Sequence, residues 1–300
     1  MIASITVTYQ PDLPTLQRQL DSLRGQVQHM LVIDNGSSEL FIHSLRRLCE
    51  DTGANLHQLG TNTGIAHAQN EGIYAALALG VDGVLLLDQD SEAMPGMVPA
   101  LRQALEDNPR AAAAGPSTFD DRTGRSFFFL LNFDHGIWPK LWSPGPSPLP
   151  QSIEVASLIA SGTLIRASAL QYQAPMLASW FIDHIDSEWC FRMRAEGWTL
   201  LGVPHAQLSH KLGDKVTQVW FLRWRQVAHH SPLRDFYMFR NSILLVQKTY
   251  VSWRWKLYIL ARLVLFSGFF LTFTPQRPLR LKMMTQGIFD GLRGRTGPWK

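Results

Sequence analysis

Three hundred residues, 46% hydrophobic and 17% charged, suffice for one large or two small domains with a substantial core and exclude a disordered chain. The two cysteines, Cys49 and Cys190, stand far apart with no Cys-x-x-Cys, so neither a disulfide framework nor a zinc site is suggested. The net charge of +4 is split: residues 250–300 hold nine Lys/Arg against one acid, Asp290, which leaves −4 on residues 1–249. An acidic body argues against nucleic acid as a partner, and a basic tail suits an anionic surface such as a membrane. No basic n-region or cleavage site opens the chain, so a reducing, cytoplasmic setting is expected.

Ile2 to Thr8 alternates in the manner of a strand, and Tyr9-Gln-Pro-Asp12 reads as loop and helix start. Leu13, Leu16, Leu20 and Leu23 recur at three- and four-residue spacing and predict an amphipathic helix. Met30 to Ile33 predicts a second strand, ending in Asp34-Asn-Gly-Ser-Ser38, and Asn55 to Leu59 a short third one. Asn62-Thr-Gly64-Ile65 opens a helix with Ala66, Ala68, Ile73, Ala76 and Leu77 on its apolar side. Val84 to Leu87 suits a buried fourth strand, and Met97 to Leu105 predicts the helix after it. This alternation predicts an α/β fold, a mostly parallel sheet flanked by helices.

Three predicted strands end in polar clusters: Thr8-Tyr9, Asp34-Asn35 and Asp88-Gln89-Asp90. Right-handed crossovers bring such ends to one edge of the sheet, where open α/β sheets bind ligands. Asp88 and Asp90, with no basic neighbour, repel each other unless a cation or a solvated turn relieves them. A nucleotide at this edge would meet Asp34 through its base or ribose, and the backbone N–H groups of the helix start near Gly64. For each cluster taken singly, a helix cap or a turn is the alternative. No Gly-x-Gly-x-x-Gly follows the first strand and no Gly-x-x-x-x-Gly-Lys-Ser/Thr occurs, so dinucleotide and P-loop chemistry are not expected.

Val7-Thr-Tyr9, Ile33-Asp-Asn-Gly-Ser37, Asn62-Thr-Gly-Ile-Ala-His-Ala-Gln-Asn-Glu-Gly72 and Leu87-Asp-Gln-Asp-Ser91 occur in this order. Together they resemble the nucleotide-sugar half of inverting family 2 glycosyltransferases with the GT-A fold. The likeness is greatest to the bacterial rhamnosyltransferases of O-antigen and cell-surface polysaccharide assembly, and it runs from residue 2 to about residue 295. It implies a GT-A domain over residues 1–245, with a nucleotide-sugar half to about 115 and an acceptor half over about 116–245. A helical, membrane-associating region would fill 246–300. The resemblance further implies a nucleotide sugar, dTDP-L-rhamnose, held by Thr8, Tyr9, Asp34, Asn62, Gly64 and Gln89. Mg²⁺ or Mn²⁺ would sit on Asp88 and Asp90, and the acceptor would be a lipid-linked saccharide.

Pro139 to Pro150 holds five prolines in twelve residues and reads as a surface loop. Ile153 to Ile159 predicts a strand, leading to Ala160-Ser-Gly-Thr-Leu-Ile165, a small-residue turn that lets a substrate approach the backbone. Phe181 to Arg192 carries Asp183, Asp186 and Glu188, which cannot share one helix face. A helix beginning near Asp186 puts that carboxylate at its positive end; an N-cap followed by solvated acids is the alternative. By the resemblance Asp186, in Asp186-Ser-Glu-Trp-Cys-Phe-Arg192, is the catalytic base. Ile185 stands where the family more often has an acid, which leaves Asp183 as the other choice.

Leu200 to Val203 predicts a strand before Leu208-Ser-His-Lys-Leu-Gly213. The resemblance points to His210, ahead of His205, as the third ligand of the metal, and two carboxylates with an imidazole are an ordinary set for Mn²⁺. Tyr237, Arg240 and Asn241 fall on one side of a helix. That side is either a solvated basic face or, by the resemblance, a contact to the donor diphosphate or the acceptor through Arg240. Leu257 to Phe273 is apolar except for Arg262, and aromatic and basic residues flank it. Its seventeen residues are short for a span; a helix in the headgroup layer and a buried core helix both fit.

The leading expectation is an inverting, metal-dependent glycosyltransferase, peripheral on the inner face of a bacterial plasma membrane. Asp186 would take the proton of the acceptor hydroxyl. A sugar-nucleotide nucleotidyltransferase is the second reading, against which no Gly-rich, basic triphosphate loop follows the first strand. A non-catalytic, membrane-attached scaffold is the third.

Overall fold

A computed structural model describes residues 1–120, 125–127, 129–133, 138–142, 148–172, 175–210, 215–221 and 223–299. The first half alternates β1 (Ile2–Thr8), α1 (Leu13–Leu23), β2 (His29–Asp34), α2 (Glu39–Thr52), β3 (Asn55–Gln58), α3 (Ile65–Ala78) and β4 (Gly83–Asp88). After a turn come β5 (Ser91–Ala93), α4 (Met97–Asp107) and β6 (Ala111–Asp120). Short strands β7 (Arg125–Phe127), β8 (Phe129–Leu130), β9 (Leu141–Trp142) and β10 (Ile153–Glu154) lead to β11 (Leu164–Arg166) and α5 (Ala167–Tyr172). Then follow α6 (Ile185–Ala195), β12 (Thr199–His210) and a hairpin of β13 (Lys215–Phe221) and β14 (Arg223–His229). Three helices end the chain: α7 (Pro232–Val246), α8 (Trp253–Phe273) and α9 (Arg277–Leu292).

The main sheet runs β10-β12-β6-β11-β4-β1-β2-β3. β1 to β4 are parallel, β12 is parallel to β6, and β11 enters antiparallel between β4 and β6. The α/β architecture with its mostly parallel sheet is the predicted one. Successive side chains of a strand point to opposite faces, and the run at β4 is buried on both. Val84 and Leu86 pack with Ile5, Ile33 and Ile73 of α3, while Leu85 and Leu87 pack with Val98, Leu101 and Leu105 of α4. Asp12 caps α1, its carboxylate accepting the Thr15 N–H at 3.1 Å. Leu16 and Leu20 of that helix then meet Leu45 and Cys49 of α2 over Val32.

Several elements differ from expectation. Residues 39–52 carry no predicted element, yet they form α2, whose buried face is only Leu45, Cys49 and Thr52. β6 opens on four alanines, poor strand formers placed between two partner strands by tertiary packing. The predicted strand Ile153–Ile159 shrinks to Ile153–Glu154, whereas Leu200–Val203 lengthens into twelve residues that reach His210. Of the Pro139–Pro150 segment, residues 143–147 lie outside the described residues, as do residues 211–213 of the sequence that begins at His210.

At the C-terminal end α9 crosses α7 at two glycines. A Cβ on Gly287 would stand 2.5 Å from the Phe236 carbonyl oxygen, and one on Gly291 would stand 2.7 Å from that of Arg240. A buried ion pair, Asp235 with Arg280, joins the same two helices. α8 starts at Trp253, four residues before the predicted run, so it has 21 residues and is long and apolar enough to cross a membrane. Trp255, Ile259, Leu263 and Phe270 are buried, and Trp253, Leu257, Val264, Leu265 and Phe273 are exposed. One side of α8 thus packs and the other faces outward.

Candidate active site

The register of the sheet sets the site. Thr8 pairs with Asp34 across β1 and β2, and Val7 with Asp88 across β1 and β4, so three strand ends form one edge. Beyond Asp88 the chain turns and returns as β5, which pairs Ser91 with His210 of β12. That pairing delivers a histidine 120 residues away to the Asp-x-Asp turn. The His210 Nε2 lies 3.7 Å from Asp88 Oδ2 and its Nδ1 lies 3.9 Å from Asp90 Oδ1. One ligand atom from each of the three residues falls within 4.8 Å of the other two, a spacing that fits one divalent ion.

The imidazole is oriented from behind. His210 Nδ1 is 2.7 Å from the Ser91 hydroxyl, which is 2.6 Å from the Ser161 hydroxyl, and Ser161 Oγ accepts the Asp88 N–H at 3.1 Å. With Nδ1–H donated to Ser91, Nε2 is left bare toward Asp88, the tautomer a metal ligand needs. Burial pushes the Asp88 carboxyl above the usual range and Asp90 adds to the rise, opposed by His210 and Arg234. A cation between the acids would reverse that cost.

A cleft of about 640 Å³ opens over this cluster. Thr8, Tyr9, Asn62, Gly64 and Gln89 line it, as do Asp88, Asp90, His210 and Asp186. Gln89 Oε1 accepts the Tyr9 N–H at 2.9 Å, tying two strand ends together. Gly64 stands at the start of α3 with φ +89°, and a Cβ there would lie 2.6 Å from the Phe181 ring. Only glycine fits that junction, because both the backbone angle and the space exclude a side chain.

Asp34 and Arg240 are not in the cleft. Asp34 is buried below it, with its oxygens taken by the Ser37 N–H, the Ser37 hydroxyl and the Thr8 hydroxyl. Arg240 is buried against α9 and donates to the carbonyls of Trp180 and Gly297 and to Asn241 Oδ1. Tyr237, Arg240 and Asn241 therefore form no solvated face. Asn241 donates to the carbonyls of Trp180, Ile182 and Asp183, at 2.7 to 3.1 Å, and so fixes the loop before α6. His205 is exposed and turned to the Leu149 carbonyl.

That loop carries the second acidic cluster. Phe181, Asp183 and His184 all have positive φ, a run of strained non-glycine residues of the kind that collects at functional sites. Asp183 is bound through both oxygens by Arg234, at 2.6 and 2.9 Å, a bidentate ion pair that stabilises its charged form and makes it a weaker base. Glu188 is fully buried, ion-paired to Arg192 and hydrogen-bonded by Tyr250, rather than solvated. Asp183 and Asp186 both line the cleft, but among the described residues Asp186 has no cation bound to it: it stands in the first turn of α6 and accepts N–H groups from Ser187 and Ala160. Burial raises its carboxyl above the usual range; the two N–H bonds oppose the rise, and the charges of Asp183 and Asp88 add to it. A carboxylate held short of full stabilisation is a stronger base. Sequence reasoning gave Ser91 and Ser161 no role, and of the arginines in the Ser231–Asn241 stretch it chose Arg240, whereas Arg234 is the one that lines the cleft.

Residues 4–171 match the profile of Glycosyl transferase family 2. Over 303 residues, 99% of this chain and 97% of the relative, the sequence is 30% identical to a dTDP-rhamnosyl transferase, RfbF, of Shigella flexneri. Among solved structures, GalNAc-T7 with UDP, GalNAc and Mn²⁺ superposes with a TM-score of 0.58 at 11% identity, covering 98% of this chain and 56% of that one. The mannosyltransferase PcManGT of Pyrobaculum calidifontis, in complex with GDP-Man and Mn²⁺, gives 0.55 at 12% identity, covering 97% and 75%. TarS of S. aureus gives 0.51 at 15% identity, covering 91% and 44%. At such identities these structures show the fold alone, and it is the GT-A fold.

Proposed function

From the premise that the chain belongs to glycosyl transferase family 2 and is a glycosyltransferase, we propose that it transfers L-rhamnose, with inversion, from dTDP-L-rhamnose. The acceptor is a lipid-linked saccharide of a bacterial surface polysaccharide, met at the inner face of the plasma membrane. The 30% identity to a dTDP-rhamnosyl transferase along nearly the whole length supports the donor. The exposed apolar side of α8 and the basic tail support the membrane.

The nucleotide lies along the strand ends over Thr8 and Tyr9 and against Asn62 and the backbone at Gly64. Its diphosphate comes beside Asp88, Asp90 and His210. These three residues would hold a Mn²⁺ or Mg²⁺ ion, which would supply countercharge to the leaving nucleoside diphosphate. Arg234, fixed in the cleft by Asp183, adds a second positive group. Asp186 takes the proton of the acceptor hydroxyl while that oxygen attacks the anomeric carbon from the face opposite the nucleotide.

One observation carries this reading: Asp186 and the Asp88–Asp90–His210 cluster line the same cleft. The test is hydrolysis of a panel of nucleotide sugars with and without Mn²⁺ or Mg²⁺. Metal-dependent release of dTDP, fastest from dTDP-L-rhamnose, is expected. Preference for another nucleotide sugar would overturn the donor, and no hydrolysis with any metal would overturn the function.

A further inference from the structure

Asp186 and Ile159 line two spaces at once: the cleft described above and a second cavity of about 230 Å³. Thr118, Phe129, Thr163 and Ser187 contribute to the walls of the second cavity, and so does Arg262. Arg262 interrupts the apolar run of α8, two and three residues before Val264 and Leu265, which are 72% and 64% exposed. Its guanidinium lies over the rings of Tyr258 and Phe266, 5.6 and 5.2 Å from their centroids. Among the described residues no carboxylate pairs with it. Its charge is felt in the site, where burial first and Arg262 second hold the His184 imidazole down to about 4.

A cation in an apolar helix that meets a membrane is costly unless an anion answers it. Here the order in space is an outward apolar face, a guanidinium, a cavity and a base. An amphiphile in which a phosphate joins a lipid to a sugar has the same order. We propose that Arg262 binds the phosphate linkage of the acceptor and that the 230 Å³ cavity seats the sugar next to it, with its hydroxyl on Asp186. The inference rests on the glycosyl-transfer reading and adds to it the chemical group by which the acceptor is recognised. Arg suits the task because its fork binds two phosphate oxygens at once. A phospholipid headgroup offers the same group, so the test separates the two sources.

The full chain is loaded with dTDP and Mg²⁺ to fill the donor side. Binding of decyl diphosphate is then measured by calorimetry, with decyl glucoside as the phosphate-free control. Arg262→Gln is expected to weaken decyl diphosphate about tenfold or more, the loss of a charge-assisted pair, with no change toward decyl glucoside. The thermal midpoint should stay in place, since the side chain is exposed. Equal affinity of both proteins for decyl diphosphate overturns the proposal, as does absence of binding by the unaltered chain or equal weakening of both probes. A variant that loses only sedimentation with phosphatidylglycerol vesicles would assign Arg262 to headgroups and overturn it too. Failure of the glycosyl-transfer reading is seen separately, as absence of donor hydrolysis by the unaltered protein.

Discussion

The Nδ1 of His210 and the hydroxyl of Ser91 lie 2.7 Å apart, a contact that holds the imidazole with its Nε2 toward Asp88. The arrangement couples two strands, because β5 and β12 pair these same two residues. Ser91→Ala removes the hydrogen-bond partner of Nδ1 and frees the ring to turn or change tautomer. Orienting partners of ligating histidines are worth roughly 10–100-fold in metal affinity. The expected result is a titration of donor hydrolysis against Mn²⁺ displaced to higher concentration by that factor, with full rate recovered at saturation. An unshifted titration would remove Ser91 from the metal site.

Asp186 links the pH dependence of activity to that of stability. Its carboxyl is raised above the ordinary range, chiefly by burial, so between its unfolded and folded values the folded chain binds more protons than the unfolded one. Stability therefore declines as pH rises through that window, and the deficit persists at neutral pH. Asp186→Asn removes it. The variant is expected to keep or raise its thermal midpoint at neutral pH while turnover drops roughly 100-fold or more. The acid limb of kcat/KM in the unaltered enzyme should lie above the usual carboxylate value of about 4. A limb at that ordinary value, or a variant of lowered midpoint and normal turnover, would move the base elsewhere.

How much of this was legible in the sequence follows from the range of each interaction. The strand ends at Thr8, Asp34 and Asp88 are announced by local pattern, and topology alone carries them to one edge. α2 was not legible because its apolar stripe is short, and β6 because alanines say nothing of a strand until partners close on both sides. Arg240 and Arg234 show the limit best. Both are arginines on α7 six residues apart, and spacing cannot say which one points to the cleft. The choice is made by Trp180, Gly297 and Asn241, which bind Arg240, and by Asp183, which holds Arg234 in the cleft. Local pattern shows Ser161 only as part of a small-residue turn, because its contact with Ser91 spans 70 residues.

Gly287 tests whether the C-terminal helices hold the loop before α6. α9 approaches α7 so closely there that an added Cβ would meet backbone, which cannot swing aside. Gly287→Ala is expected to cost about 1–3 kcal/mol, the range of overpacked cores, read as a lower thermal midpoint. α7 also carries Asn241, which fixes the carbonyls of Trp180, Ile182 and Asp183, so turnover should fall along with stability. A variant of lowered midpoint but unchanged kcat at low temperature would show that the loop keeps its form without tight α7–α9 packing.

The outward side of α8 is the last point at issue. Removing the chain after Tyr250 would take with it the Arg280 partner of Asp235 and the Gly297 carbonyl that binds Arg240, so a truncated chain would report on folding. Substitution at exposed positions avoids this. Val264 and Leu265 are 72% and 64% exposed, so changing both to Glu disturbs little packing. If this side lies in the headgroup layer, each residue contributes at least about 1.5 kcal/mol of apolar burial, and the double variant should bind anionic vesicles roughly 100-fold more weakly. Its thermal midpoint in solution should stay in place, which separates a lost membrane contact from a damaged fold. High salt is expected to weaken the unaltered protein's binding only in part, because screening removes the basic tail's attraction and leaves the apolar contact. If the double variant sediments with vesicles as the unaltered chain does, this side of α8 is not the membrane face. The exposure of Val264 and Leu265 would then have to be explained by another partner.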